Sequence, residues 1–230
     1  MLGGEPSINS AAVIMLAGGL GSRLGSNKPL QRVAGKPLIC HVIEGVSGLS
    51  DEVLVVIARE APRNDFVKVL PDYVRVLNDE PEGKSPLIGI VTALRAVKSR
   101  YAVVLTCDIP FVNSQVIKLL LKRAENADAV VPRWKTGYLE PLQAVYRREP
   151  TLDEAEKALR TGGLSTADLI KRLARVIFVS VEDEIRIIDP KLRTFFNVNT
   201  KEDLAKAELI LEHKAEGHEG SSLSLHLSDE

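Results

Sequence analysis

Cysteine is scarce in this chain: only Cys40 and Cys107 occur among 230 residues, and they lack the spacing of a metal site or a disulfide framework. Such scarcity argues against a disulfide-stabilised extracellular protein and favours a reducing cytoplasm. Long apolar runs are also missing, since none reaches the roughly 18 residues of a membrane span. Residues 1–10 lack the basic start and apolar middle of a signal peptide. The sequence therefore predicts a cytoplasmic protein without a membrane segment.

An excess of charge of either sign is absent as well. With 30 basic and 31 acidic residues, the formal net charge is −1. A general nucleic-acid binder needs a basic surface that neutralises phosphates, so we expect no nucleic-acid partner. Histidine is rare, and its positions are scattered along the chain: His41, His213, His218 and His226. This scatter predicts neither a histidine metal site nor a catalytic triad.

What the chain does contain is the composition of a globular protein, with 45% hydrophobic and 27% charged residues. Its length suffices for one α/β domain with a substantial core, or for two small ones. Apolar periodicity begins near residue 11 and is lost beyond residue 214. We therefore predict a flexible extension over residues 1–10, one domain over residues 11–214 and a disordered tail over residues 215–230.

Glycine is concentrated in one stretch that follows a predicted buried strand at residues 12–15. Its four glycines are close together: Gly18, Gly19, Gly21 and Gly25. Glycines let main-chain N–H groups approach phosphate oxygens, and the same stretch contributes two cations, Arg23 and Lys28. A lysine in such a loop is expected to support little packing. The pattern predicts a cradle for a triphosphate, because an ordinary glycine-rich βα turn would explain neither cation.

Two common phosphate loops do not fit this spacing. A Walker A loop needs G-x-x-x-x-G-K-[ST]. Residues 83–85 supply its ending, but Asn78 stands where the first glycine belongs. A dinucleotide fingerprint needs G-x-G-x-x-G, and Leu24 replaces its third glycine. The loop must therefore belong to another class of nucleotide site.

Predicted strands and helices alternate from residue 12 to about residue 131, which is typical of βαβ units. We predict an α/β fold: a single Rossmann-like domain of three αβα layers around a mostly parallel sheet. Such sheets bind ligands at the carboxyl ends of their strands. The glycine loop, Asn64, Asp79 and Asp108 all follow predicted strands, so we expect them at that edge.

Asp108 directly follows the predicted strand at residues 101–106. A carboxylate there, facing a triphosphate, is suited to hold Mg²⁺, which commonly takes one or two protein carboxylates together with phosphate oxygens. Alternatively, Asp108 and Pro110 form a turn that ends the strand. Asp79 either faces the nucleotide or is a loop acid in solvent. The residues alone leave both pairs of alternatives open.

The spacing L-A-G-G-x-x-x-R-x-G-x-x-K-x-L, followed by G-x-P-L, resembles the nucleotidyltransferase family that includes molybdenum cofactor guanylyltransferase. The matching positions are residues 16–19, Arg23, Gly25, Lys28, Leu30, Gly35, Pro37 and Leu38. Later elements agree: P-L-x-G at residues 86–89, C-D-I-P-F at residues 107–111 and N-x-N-T at residues 197–200. Many members have Asp before the lysine, whereas this chain has Asn27. The resemblance covers residues 12–214 and implies a fold of the nucleotide-diphospho-sugar transferase type.

The resemblance also implies a reaction: transfer of GMP from GTP to molybdopterin or its metal-loaded form, giving a guanine dinucleotide cofactor and pyrophosphate. It implies Mg²⁺ on Asp108 and catalytic roles for Arg23, Lys28 and Asp108. The nucleotide-binding positions it implies are Leu16, Ala17, Gly18, Gly19, Lys28, Asp79 and Asp108. Its acceptor-binding positions are Asn197 and Asn199. Transient contact with cofactor-delivery proteins or molybdoenzymes is a further implication.

Several alternatives remain at this point. Guanylyl transfer to cobinamide phosphate, cytidylyl transfer to molybdopterin and sugar-phosphate nucleotidyl transfer share the loop, and a nucleotide-binding regulatory domain without catalysis is a different class. L-A-A-G resembles the cytidylyl branch and L-A-G-G the guanylyl branch, so residues 16–19 favour GTP over CTP and ATP. Gly18 is expected to leave room for a bulky purine.

Overall fold

The computed structural model describes residues 11–18, 28–80, 85–163 and 165–222, with side chains described up to residue 212. The predicted extension at residues 1–10, the loop residues 19–27 with Gly19 and Arg23, and residues 223–230 lie outside these ranges. The strands in the described ranges are β1 (Ala11–Leu16), β2 (Arg32–Val33), β3 (Lys36–Pro37), β4 (Val53–Ile57), β5 (Val74–Asn78), β6 (Tyr101–Thr106), β7 (Ala129–Arg133), β8 (Ala144–Arg147) and β9 (Val176–Ser180).

One seven-stranded sheet organises the domain, in the order β5-β4-β1-β6-β8-β7-β9. Strands β5, β4, β1 and β6 run parallel to one another, and β9 runs parallel to β7. Only β8 runs against its neighbours, β6 and β7, within this sheet. The predicted mostly parallel α/β sheet is confirmed. The carboxyl ends of six of its strands therefore meet at one edge.

Helices cover both faces of the sheet. Their bounds are α1 (Leu38–Gly45), α2 (Arg63–Val67), α3 (Pro86–Ala96), α4 (Ser114–Lys122), α5 (Arg148–Arg160), α6 (Thr166–Arg172), α7 (Arg186–Ile188) and α8 (Lys201–Ser222). Alternate residues of β1 point to opposite faces: Val13 and Met15 pack with α1 and α4, whereas Ile14 packs with α3. Because both faces are covered, β1 and β4 consist entirely of buried residues. The predicted three layers are confirmed.

Capping residues fix where several helices begin. The Ser85 hydroxyl accepts a hydrogen bond from the Leu87 N–H at 3.1 Å, and Pro86 occupies the first turn of α3. At the start of α8, the Thr200 hydroxyl accepts from the Asp203 N–H, and the Asp203 carboxylate accepts from the Thr200 N–H. This reciprocal pair is the predicted capping box. None of the helices in the described ranges has the length and apolar content that a bilayer crossing requires.

Helix α8 extends past the domain end that the sequence predicts. It continues to Ser222, eight residues beyond residue 214. The prediction relied on the loss of apolar periodicity, which indicates whether a segment packs against a core. Backbone hydrogen bonding propagates along a helix that is already formed, whether or not each new turn has an apolar face.

Candidate active site

The carboxyl edge of the sheet gathers most of the residues predicted to be functional. Gly18 follows β1, Asp79 follows β5 and Asp108 follows β6, each within two residues of its strand. The neighbouring strands hold these ends in register: the Ala17 N–H donates to the Val56 carbonyl at 2.7 Å, and the Asp79 N–H donates to the Ile57 carbonyl at 3.0 Å. Asn64, predicted at the same edge, lies in the short helix α2 that follows β4.

Gly18, Asp79 and Gly89 converge on the β5 side of this edge. A Cβ atom on Gly18 would lie 3.0 Å from the Ala58 backbone nitrogen and 3.3 Å from Asp79 Oδ2. A Cβ atom on Gly89 would lie 3.4 Å from Asp79 Oδ1. The expectation that Gly18 leaves open space is therefore wrong for the direction of its missing side chain. A side chain on Gly18 would crowd the Ala58 backbone and Asp79, whereas one on Gly89 would crowd Leu16, whose Cδ2 atom would be 3.0 Å away.

The Asp79 carboxylate is partly removed from solvent, and no salt bridge links it to a cation among the residues that the structure describes. Its Oδ1 atom is buried and has no hydrogen-bond partner among the described residues. Burial raises the pKa of Asp79 to about 6, although the Thr92 hydroxyl opposes this shift. Buried polar atoms are normally hydrogen-bonded, so an enclosed oxygen without a partner is unusual. Asp79 as a whole is half-buried rather than fully in solvent, and its contact with the nucleotide stays a prediction.

Lys28, Asp108 and Asn199 form one cluster beside these residues. The Lys28 ammonium donates to Asp108 Oδ2 at 2.7 Å and to Asn199 Oδ1 at 2.8 Å. The lysine and aspartate side chains are only 11% and 19% exposed, so solvent screens their attraction weakly. The sequence suggests a different partner for each of the three residues, whereas in the fold Lys28 contacts both Asp108 and Asn199.

Two further contacts hold Asp108 in place. The Thr106 hydroxyl donates to Asp108 Oδ1, and the Asp108 carbonyl accepts from the Val198 N–H at 2.9 Å. Sequence reasoning missed Thr106. The signal was present, because residues two apart in a strand project from the same face. The contact with Val198 brings the 197–199 segment to the end of β6.

The other predicted positions at this edge differ in how they are used. Leu16 and Ala17 are buried, and the Leu16 carbonyl accepts from the Cys107 N–H at 3.2 Å. Asn197 is exposed and donates to the Phe195 carbonyl at 3.0 Å, so it does not join the Lys28 cluster. Burial raises the pKa of the Cys107 thiol to about 12, which leaves it a packing residue.

A buried polar network holds the 193–199 segment through Thr194. Sequence reasoning missed this network. Gln143 Nε2 donates to the Thr194 hydroxyl, which also accepts from the Asn113 N–H at 3.2 Å. The Thr194 N–H donates to Asp189 Oδ2 at 2.7 Å. Gln143, Thr194 and Asp189 are at most 9% exposed. Their partners are distant in sequence, so no local pattern reveals them.

A metal ion at this edge would depend on one carboxylate. In the ranges that the structure describes, no group of three or more His, Cys, Asp or Glu side chains is placed to hold a metal. Asp108 uses one oxygen for Lys28 and the other for Thr106, and each oxygen keeps a lone pair. A single carboxylate that is completed by substrate phosphates and water is a donor set that Mg²⁺ accepts. Asp108 therefore fits such a metal.

A parallel sheet edge with close-packed glycines, a lysine and a strand-end aspartate suits a nucleotidyltransferase. Residues 13–176 match the family described as the MobA-like NTP transferase domain, and the chain belongs to this family. Members of this family generally use a divalent metal ion. The family membership and the nucleotide-diphospho-sugar transferase type of fold that the sequence suggests are both confirmed.

Two related proteins and one crystal structure support this membership. The chain is 38% identical to the "Probable molybdenum cofactor guanylyltransferase" of Methanosarcina acetivorans, over 85% of this chain and 88% of that protein. It is 34% identical to the molybdenum cofactor guanylyltransferase of Desulfosudis oleivorans, over 86% and 94% of the two chains. The crystal structure of molybdopterin-guanine dinucleotide biosynthesis protein A from Archaeoglobus fulgidus matches with a TM-score of 0.74 and 32% identity, over 88% of this chain and 99% of that one.

Proposed function

We propose that this chain transfers GMP from GTP to molybdopterin, with a guanine dinucleotide cofactor and pyrophosphate as products. The observation that carries this proposal is the position of the Lys28–Asp108–Asn199 cluster. The cluster joins the end of β6 to Asn199 of the 193–199 segment, to which we assign the acceptor. On the other side of β6 lies the Gly18–Asp79–Gly89 convergence, to which we assign the nucleotide. The names of the relatives supply the identity of both substrates.

In the proposed step, an oxygen of the molybdopterin phosphate attacks the α-phosphorus of GTP. A new phosphorus–oxygen bond forms, the bond to the β-phosphate oxygen breaks, and pyrophosphate leaves with the electron pair. The attacking oxygen is already anionic, so the step requires no general base. The protein contributes by positioning the reactants and by balancing charge.

Each assigned residue has a separate task in this step. Lys28, which is paired with Asp108, also balances negative charge on the triphosphate and the departing pyrophosphate. We assign the same role to Arg23. Main-chain groups at residues 16–19 bind phosphate and base, Asp79 accepts from the nucleoside, and Asn197 and Asn199 bind the acceptor. Asp108 holds Mg²⁺, which supplies electrostatic stabilisation of the phosphate oxygens when bound.

Recognition of guanine follows from the same assignment. Guanine offers an N1–H and an exocyclic amino group as donors, and the half-buried Asp79 carboxylate near Gly18 and Gly89 is the acceptor that we assign to them. Cytosine and adenine do not present this pair of donors, and a mismatched buried group can discriminate by roughly 10⁴. We also propose that the protein acts in the cytoplasm and contacts cofactor-delivery proteins or molybdoenzymes transiently.

The test is incubation of the purified protein with molybdopterin, Mg²⁺ and an equimolar mixture of GTP, CTP and ATP. We expect a guanine dinucleotide together with stoichiometric pyrophosphate. A cytosine dinucleotide would contradict the base assignment and leave the phosphate chemistry intact. Transfer to cobinamide phosphate or to a sugar phosphate in place of molybdopterin would contradict the acceptor. Nucleotide binding without pyrophosphate release would favour a regulatory domain.

A further inference from the structure

Glu140 is a half-buried acid on the carboxyl edge that the proposed step does not use. Its Oε1 atom accepts a hydrogen bond from the Trp134 indole N–H at 2.8 Å. Its other oxygen, Oε2, has no hydrogen-bond partner in the described part of the chain, and no described cation forms a salt bridge with it. Burial raises the pKa of Glu140, opposed by the Trp134 bond. Its outer oxygen is therefore available to accept a hydrogen bond from a ligand.

The sheet topology places Glu140 at the carboxyl edge. Strand β8 pairs with β6 in the antiparallel sense, with Val104 opposite Ala144. The residues that precede Ala144 therefore lie at the edge where β6 ends. They form a turn in which the Gln143 N–H donates to the Glu140 carbonyl at 3.2 Å. The Glu140 N–H also donates to the Pro132 carbonyl at 3.0 Å, which fixes the segment against the end of β7.

Glu140 lies on the acceptor side of this centre. The order β5-β4-β1-β6-β8-β7 puts Asp79 and Gly18 on one side of Asp108, and Glu140 on the other. Trp134 packs against Phe195, with ring centroids 5.5 Å apart. The Phe195 carbonyl accepts from Asn197. Carboxylate, indole and acceptor segment therefore form one continuous surface.

We propose that Glu140 is a specificity-determining residue that recognises a 2-amino-4-oxopteridine ring through its paired donors, the ring N3–H and the exocyclic amino group. The identity of this ring as the head of the acceptor rests on the proposed function. A carboxylate has two oxygens with about four acceptor positions. With one position used by Trp134, the others remain for the two N–H donors. The half-buried Trp134 indole supplies an aromatic surface for the flat ring.

Guanine presents the same pair of donors, so two ligands share this chemistry. The position of Glu140 beyond Asp108, away from Asp79, favours the pteridine. The distinguishing substitution is Glu140→Gln, which keeps the acceptor for Trp134 but replaces the outer oxygen with an amino group. That group faces two N–H donors and repels them. Glu125→Gln, at an exposed position remote in sequence from the edge, is the matched control.

The first measurement is direct binding, read by fluorescence. The chain has a single tryptophan, Trp134, so its emission reports on this surface alone. We expect pterin to quench it with an affinity about tenfold or more above that of lumazine, whose second carbonyl replaces the amino group. Glu140→Gln should abolish this preference, and Glu125→Gln should retain it. Equal affinity for the two rings in the wild type would overturn the proposal.

The second measurement is steady-state transfer, with GTP and molybdopterin varied separately. We expect Glu140→Gln to raise the KM for molybdopterin about tenfold or more while the KM for GTP and the Tm stay unchanged. A rise in the KM for GTP instead would assign Glu140 to guanine and overturn the proposal. If the wild type transfers GMP and Glu140→Gln has the same KM for molybdopterin, the proposal for Glu140 is overturned and the proposed function stands. Pterin binding that depends on Glu140, without any transfer to molybdopterin, would sink the proposed function alone.

Discussion

The Lys28 ammonium lies 2.7 Å from Asp108 Oδ2 and joins two residues that are 80 positions apart in the sequence. The same nitrogen donates a hydrogen bond to Asn199, which is 171 positions from Lys28. One side chain therefore connects the glycine loop, the end of β6 and the segment before α8. Substitutions in this cluster should affect stability as well as turnover.

Lys28→Ala should lower kcat on the order of 10²-fold, because a preorganised charge is lost from the transition state. It should also lower the free energy of unfolding by about 1–3 kcal/mol, since Asp108 and Asn199 lose a charged donor. The sequence suggests that a loop lysine supports little packing, and that expectation is wrong because Lys28 is only 9% exposed. Urea unfolding and single-turnover kinetics measure the two effects.

A double-mutant cycle tests the coupling between the two residues. Lys28→Ala combined with Asp108→Asn should be less destabilised than the sum of the single variants, because no unpaired charge remains. Strict additivity would mean that the pair does not interact energetically in the folded protein. Unchanged turnover in a folded Lys28→Ala protein would remove its catalytic assignment.

Asp108→Asn should weaken the dependence of turnover on Mg²⁺. Asparagine keeps the shape and the bond to Lys28, but it lacks the charge that attracts a hard cation. We expect the Mg²⁺ concentration for half-maximal rate to rise about tenfold or more, with a lower maximum rate. Asp72→Asn, at an exposed position before β5, is the control. Superimposable Mg²⁺ titrations for the wild type and Asp108→Asn would make Asp108 a turn residue only.

Asp79→Asn should raise the KM for GTP about tenfold and leave the KM for molybdopterin unchanged. The half-buried Asp79 carboxylate is the acceptor assigned to the nucleoside, and an amide cannot serve two adjacent donors equally well. Separate titrations of the two substrates check this split. An effect confined to molybdopterin would move Asp79 to the acceptor side.

The same substitution has a predicted pH dependence in the unliganded protein. The pKa of Asp79 is about 6 in the folded state, against 3.8 for the ordinary side chain. The folded state thus binds this proton more tightly, so the group lowers stability as pH rises from about 4 to about 6. Asp79→Asn should therefore gain stability relative to wild type at pH 7 and not at pH 4. Because the carboxyl is only half-buried, we expect about 1 kcal/mol, or a Tm increase of about 2–4 °C. An equal difference in Tm at both pH values would contradict this.

Thr194→Val should destabilise the protein by about 1–3 kcal/mol, because Gln143 and the Asn113 N–H lose a buried acceptor. The 193–199 segment should then be held less firmly, and the KM for the acceptor should rise while the KM for GTP does not. Thr194→Ser keeps the hydroxyl and should restore the acceptor KM. If the valine and serine variants share one acceptor KM, the hydroxyl has no positioning role.

The sequence by itself determined the sheet and its active edge. Apolar runs such as residues 101–106 favour buried strands, and their alternation with helices of period 3.6 favours parallel strands with covered faces. Glycines directly after β1 and an acid directly after β6 then had to lie at one edge, because parallel strands end on the same side. These are local or short-range properties, and the chain encodes them in the order of its residues.

The tertiary structure alone decided which side chains meet at that edge. Nothing local to Lys28 predicts Asn199 as its partner, and nothing local to Gln143 predicts Thr194. The burial of Asp79, and hence its raised pKa, depends on how segments from different parts of the chain pack around it. Partner choice, burial and charge state depend on distances between remote segments, which only packing of the completed sheet and its helices establishes.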